Sequence, residues 1–329
     1  MIISQTPYRV SFAGGGSDLP EYYREDFGAV LSVTIRRHLY VTVHRRFEAN
    51  IRVSYSKTEI AQSVDAIGHA LVREALRVTD TRGPLEVTTI GDVPAGTGLG
   101  SSSTLTVGLL HALYALQGQR VVPELLARQA CEIELDRLGH PIGKQDQYAA
   151  AFGGINYVRF FADGRVAVEP VACSAATRVS LETHGLLVYL AEQRDANEIL
   201  ERQRAGTEEK RSCLTELRDL AQAMRALLAG PFDVEELGRL LHQGWCTKRA
   251  LGFGITNARI DESYARARRA GAWGGKVLGA GGGGFLFLLA EKARHDSILS
   301  ALGSPRWLPF ELDSEGSRIV FDSEARARA

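Results

Sequence analysis

Cysteine is scarce: 4 of 329 residues, and Cys131, Cys173, Cys213 and Cys246 lie too far apart to form a C-x-x-C pair. Their spacing argues against a cysteine zinc site and suits small buried side chains in a reducing cytoplasm. An excess of either charge is also missing, since 39 basic residues balance 39 acidic ones. A neutral chain has no bulk field to hold a polyanion, so nucleic acid is not an expected partner. No apolar run approaches the roughly 18 residues of a membrane span. The start MIISQTPYRV lacks a basic stretch followed by an apolar one, so no signal peptide is expected. The 8 histidines form no H-E-x-x-H or similar pattern. These absences leave a cytoplasmic globular protein with neither membrane nor nucleic-acid partners.

Glycine, by contrast, is plentiful at 34 residues. Residues 91–118, GDVPAGTGLGSSSTLTVGLLHALYALQG, read as strand end, glycine loop, three serines and an amphipathic helix. Upstream, Leu85, Val87 and Thr89 alternate with Glu86 and Thr88 in a strand ending by Pro94. Gly96, Gly98 and Gly100 allow close backbone approach. Ser101, Ser102 and Ser103 can cap the helix, accept from its free N–H groups or bind a metal. Leu105, Leu109, Ala112, Leu113 and Leu116 then recur at helical spacing up to Gly118. A helix N-terminus behind such a loop favours an anion, and phosphate is the expected one. No lysine follows the loop, so it is not a P-loop, and it does not fit G-x-G-x-x-G. Taken alone, an ordinary strand-to-helix turn with serine capping accounts for it as well.

A second glycine run, KVLGAGGGGFLFLLA over residues 276–290, lies between apolar strands and has more glycines than a hairpin needs. Close backbone contact with another group is its reading, beside a floppy loop. Between the two runs, Asp146 in GHPIGKQDQYAAAFGGINYV can orient or deprotonate a hydroxyl, or stand as a surface aspartate.

The spacing predicts one long strand or a hairpin through Leu31 to Val43, helices over 58–77 and 123–138, and a strand over 154–161. In the second half it predicts a strand over 186–190, a charged helical region over 196–228, helices over 234–251 and 257–270, and strands over 276–278 and 285–289. A helix over 293–302, a last strand or two and a frayed tail SEARARA complete the reading. Two domains are expected, residues 1–179 and 180–329.

Three segments together, TPYRVSFAGGGSDLPEYY, VPAGTGLGSSS and KVLGAGGGGFLFL, resemble in order and spacing the three motifs of the GHMP kinase superfamily. With EIE…GKQDQYAAAFGGINY, the chain is similar to its bacterial D-glycero-D-manno-heptose 7-phosphate kinase branch. That resemblance implies an α+β fold: an N-terminal ATP-binding domain like the second domain of ribosomal protein S5, then a ferredoxin-like domain. It implies ATP and Mg2+ as cofactors and a sugar phosphate as the small-molecule substrate, phosphorylated at its anomeric hydroxyl for surface polysaccharide. A homodimer is left open.

By position, Asp146 matches the superfamily's catalytic aspartate and Arg9 the cation beside it. Gly96, Gly98, Leu99, Gly100 and Ser101 to Ser103 match the ATP phosphate loop. Ser17, Asp18, Gly281 and Gly282 are the expected sugar contacts. Ser102 or Ser103 with Glu134 are the expected metal ligands, Glu132 competing. Gly15 and Gly16 replace the glutamate and histidine of the galactokinase motif, which leaves galactose-like contacts in doubt and opens room for a bulkier sugar. Arg36, Arg37 and Lys144 are candidates for the substrate's own phosphate. A fucose-type anomeric kinase, a non-catalytic sensor and a nucleic-acid-binding relative of the first domain are the alternatives; intact motifs and zero net charge argue against the last two.

Overall fold

The computed structural model describes residues 1–191, 196–205, 208–252 and 254–323. Twelve strands are present among them: β1 Ile2–Ala13, β2 Gly28–Arg45, β3 Ile51–Ser54, β4 Thr58–Ala61, β5 Leu85–Gly91, β6 Ile155–Phe160, β7 Val166–Pro170, β8 Gly185–Tyr189, β9 Ala272–Val277, β10 Phe285–Ala290, β11 Trp307–Pro309 and β12 Arg318–Asp322. The first sheet runs β12-β1-β2-β5-β3-β4, and β6 and β7 extend it from the other half of β2. Strand β2 is long enough to serve two partners: Gly28 to Val33 pair with β6, and Leu39 to Arg45 with β5. The second sheet, β11-β8-β10-β9, is antiparallel throughout. A mixed first sheet and an antiparallel second one make the two-domain α+β fold expected of GHMP kinases.

The helix Ser101–Leu116 packs on β1 and β2 and is apolar almost all round, as suits a helix buried on most sides. Its start fixes the position of the glycine loop, and β1 underneath carries Arg9. The two units share a core: Phe12 of β1 stacks on Phe287 of β10 at 5.5 Å between ring centroids, and Phe287 meets Phe310 at 4.7 Å. Strand β12 then returns to pair with β1 in the first sheet. The chain end thus ties the second unit to the first.

Most expected elements appear, with two differences. The span 58–77 is no single helix: β4 pairs with β3, and the helix is Ala70–Val78. Tertiary pairing of a short edge strand overrides a local helical period. The region 196–228 is two helices, Ala196–Ala205 and Arg211–Ala229. The tail SEARARA lies, from residue 324, outside the described residues.

Candidate active site

Arg9 projects from β1 and is 4% exposed. Its Nε and Nη2 donate to the two carboxylate oxygens of Asp146 at 2.7 and 2.6 Å, a bidentate pair that fixes the plane of the acid. Nη1 donates to the Gly98 carbonyl at 2.6 Å, and the Arg9 amide donates to the Leu99 carbonyl at 3.2 Å. One arginine therefore locks the first glycine loop to the acid. Asp146 stands in the first turn of the helix Gln145–Phe152.

The second glycine loop is seated directly on the first. Gly98 has φ +83°, and a Cβ there would lie 2.5 Å from the Leu278 carbonyl oxygen. The Phe285 amide donates to the Thr97 carbonyl at 3.1 Å. Gly98, Gly279 and Gly284 are required by this backbone-on-backbone contact, which no side chain would permit.

Two chambers open on either side of Asp146. One, of about 620 Å³, is lined by Gly96, Gly98, Gly100, Ser101, Ser102 and the second loop. The other is lined by Asp18, Gly143, Gln145, Lys248 and Lys276. Arg9 and Asp146 line both.

In the first chamber, Gly100 (φ 80°) is the helix N-cap, with no side-chain capping bond, so the serines do not cap. The amides of the first turn have no intrahelical acceptor and, with the dipole, favour an anion. Leu99 has a fully buried side chain and offers backbone only.

Behind the serines, Glu132–Arg137 form a π-helical turn. Glu132 faces out to Arg137 at 2.7 Å, while Glu134 is fully buried and accepts from Gln147 Nε2 at 2.8 Å. Burial pushes the Glu134 carboxyl up to about 7, against the hydroxyls of Ser102 and Ser103 and the Gln147 amide, which hold the rise down. Even so, Glu134 Oε1, Ser101 Oγ and Ser103 Oγ are buried with no partner in hydrogen-bonding geometry. Ser102 and Ser103 act directly on the Glu134 carboxyl, and buried oxygens left unpartnered are unfavourable unless a hard cation joins them, so the donor set fits Mg2+. Among the described residues no cluster of three His, Cys, Asp or Glu offers another metal site.

In the second chamber, Asp18 is 2% exposed and accepts from the Gly16 amide at 2.9 Å and the Gln145 side chain at 3.0 Å. Burial raises its pKa, while the Gly16 hydrogen bond opposes the rise. Ser17, expected beside it as a sugar contact, is not brought to the chamber. Its hydroxyl donates to the Gly14 and Ala29 carbonyls and closes the turn. Gly281 reaches the first chamber rather than the second, and the Gly282 amide is engaged by the Ile255 carbonyl at 2.7 Å. Neither lines the chamber of Asp18. The three phosphate candidates also lie elsewhere: Arg36 is exposed, Arg37 pairs with Glu311, and Lys144 donates to the Gly164 carbonyl.

Sequence reasoning missed Lys248 and Lys276, both 7% exposed on this chamber. A lysine inside the apolar strand GGKVL was the available signal for Lys276; the spacing of Lys248 on its helix offered none.

The model of the GHMP kinases N terminal domain matches residues 63–154, and that of the GHMP kinases C terminal matches residues 218–305. A D-glycero-alpha-D-manno-heptose 7-phosphate kinase of Campylobacter jejuni is 31% identical over 92% of this chain and 93% of its own. A bifunctional fucokinase/GDP-fucose pyrophosphorylase of Arabidopsis thaliana is 27% identical over 88% of this chain but only 30% of its own. Among solved structures, a D-glycero-D-manno-heptose 1-phosphate kinase from Bacteroides thetaiotaomicron superposes with a TM-score of 0.81 at 27% identity, covering 98% of this chain and 99% of that one. No described helix is long and apolar enough to cross a membrane. With these matches over both units, the chain belongs to the GHMP kinases, phosphotransferases that use ATP and Mg2+ on small-molecule acceptors.

Proposed function

We propose that the chain transfers the terminal phosphoryl group of ATP to the C1 hydroxyl of D-glycero-D-manno-heptose 7-phosphate, giving the 1,7-bisphosphate used for nucleotide-activated heptose in surface polysaccharide. The observation that carries this reading is Asp146, clamped by Arg9 where the two chambers meet. One chamber offers free backbone donors, as triphosphate needs, and the other a buried carboxylate, as sugar hydroxyls need.

In this reading Asp146 accepts the acceptor hydroxyl's hydrogen bond and takes its proton late, as the oxygen bonds to phosphorus. Positioning and charge neutralisation supply most of phosphoryl-transfer catalysis, so a weak base is enough. An anomeric hydroxyl is more acidic than a primary one, which suits a carboxylate and favours C1 over C7 as the site of transfer. Arg9 holds the acid's plane, and Asp18 binds ring hydroxyls. The amides from Gly96 to Ser103 hold the nucleotide phosphates. Glu134, with Ser102 or Ser103, would hold Mg2+, which supplies charge neutralisation on those phosphates.

The residues divide into a 1–179 ATP-binding unit and a 180–329 unit, with β12 returned to the first. Zero net charge and scattered thiols support a cytoplasmic enzyme without a nucleic-acid partner; light scattering reports whether it forms a homodimer.

The two heptose kinase names differ in the position of the substrate's phosphate, 7 or 1. ADP release measured on heptose 7-phosphate, heptose 1-phosphate, free heptose and fucose, with phosphorus NMR of the product, decides between them. The 7-phosphate is expected to react fastest and to gain an anomeric ester. A preference for fucose or heptose 1-phosphate, or no turnover at all, overturns the reading.

A further inference from the structure

Lys248 and Lys276 are unusual buried lysines. Among the described residues each has a single hydrogen-bond acceptor, a backbone carbonyl: Gly279 for Lys248, and Phe12 at 3.2 Å for Lys276. No described carboxylate forms an ion pair with either. An ammonium group carries three donors, so two on each lysine are left unused. Beside them, the Ser11 hydroxyl is 6% exposed, has no partner and lines the same chamber.

The charge balance points the same way. Arg9, Lys248 and Lys276 are three basic side chains against two acidic ones, Asp18 and Asp146, so the second chamber holds one more base than acid. Burial and the neighbouring Arg9 push Lys248 down to about 8, and burial with Lys248 and Arg9 pushes Lys276 well below its ordinary range. A buried lysine with no directly paired carboxylate is costly to hold charged, and the cost is relieved when an anion enters.

We infer that Lys276, Lys248 and Ser11 form the seat for the acceptor's own phosphate group, and so select phosphorylated over free sugars. This rests on the proposed kinase reading and assigns its specificity to residues. The nucleotide's phosphates already have donors in the other chamber, at Gly96 to Ser103. The remaining source of the same chemistry is the phosphoryl group in transit at Asp146. Lys248 donates to Gly279 in the second glycine loop, whereas Lys276 donates to the carbonyl of Phe12, the residue next to Ser11, which sets Lys276 apart as the specificity residue.

The test compares wild type, Lys276→Met and Ser11→Ala by the ratio of kcat/KM for heptose 7-phosphate to that for free heptose. The ratio is expected to fall at least tenfold in Lys276→Met and severalfold in Ser11→Ala. The serine variant removes one hydroxyl and guards against a lysine variant that fails to fold. If wild type prefers the 7-phosphate and both variants keep that ratio, with turnover of the two sugars falling together, the lysine serves the group in transit and the inference is wrong while the kinase reading stands. If wild type shows no preference for the phosphate, the heptose 7-phosphate reading itself fails. Calorimetric titration with inorganic phosphate then judges the seat alone: tenfold weaker binding in Lys276→Met supports it, and unchanged binding in both variants overturns it.

Discussion

At Gly143 a single hydrogen separates the backbone from a buried acid. A Cβ there would lie 2.0 Å from Asp18 Oδ2, so Gly143→Ala must displace that carboxylate. Steady-state kinetics should show the sugar KM rising at least tenfold with the ATP KM within twofold; equal changes in both would remove Asp18 from sugar binding. Glu134 gives a second test at this scale. Without metal its pKa rises from 4.5 to about 7 in the folded chain, so the folded state keeps a proton that the unfolded state releases. Stability is then full below pH 4.5 and falls as pH rises to 7, by about 3 kcal/mol at most. Urea midpoints of the metal-free protein between pH 5 and 8 should show that slope, flattened in Glu134→Gln. An identical slope in the variant contradicts the assignment. Arg9, Asp146 and Glu134 were legible because they sit in segments of unusual composition. Lys248 was not, because burial of a lysine on a helix is set by what folds over it; Lys276 stands in an apolar strand, which marks it as buried but not the chamber it faces. Arg36, Arg37 and Lys144 do not line the second chamber, for the converse reason: charge in a sequence says nothing of the side on which it emerges.

The elements that matter most are the two glycine loops and the helix starting at Ser101. Both runs were readable as demanding close contact, yet their contact with each other was not, since it joins residues far apart in the chain. Gly96 and Gly98 separate the two reasons for glycine. Both have positive φ, but a Cβ at Gly96 meets nothing within 4 Å, whereas one at Gly98 meets the Leu278 carbonyl at 2.5 Å. Gly96→Ala should cost only the left-handed conformation, about 1–2 kcal/mol. Gly98→Ala should cost more, and should lower kcat as well by moving the carbonyl that Arg9 holds. Denaturant midpoints and kcat measured side by side check this, and equal effects of the two changes would deny the clasp. The misread span 58–77 teaches the same lesson: β4 exists because β3 lies beside it.

Across the whole molecule, function depends on two units being held as one body. The Phe12–Phe287–Phe310 cluster and the return of β12 onto β1 do this. They keep Lys276 and Gly279 of the second unit opposite Arg9 and Gly98 of the first. The two-domain α+β plan was legible from the order of motifs. The crossing of the last strand was not, because five residues of weak alternation carry no record of their partner. The central claim is that both chambers deliver their ligands to one carboxylate. Steady-state kinetics of Asp146→Asn with ATP and heptose 7-phosphate tests it most directly. The account predicts a kcat reduced by a factor of about 10²–10⁴ with both KM values within about threefold of wild type; a kcat near that of wild type would contradict it.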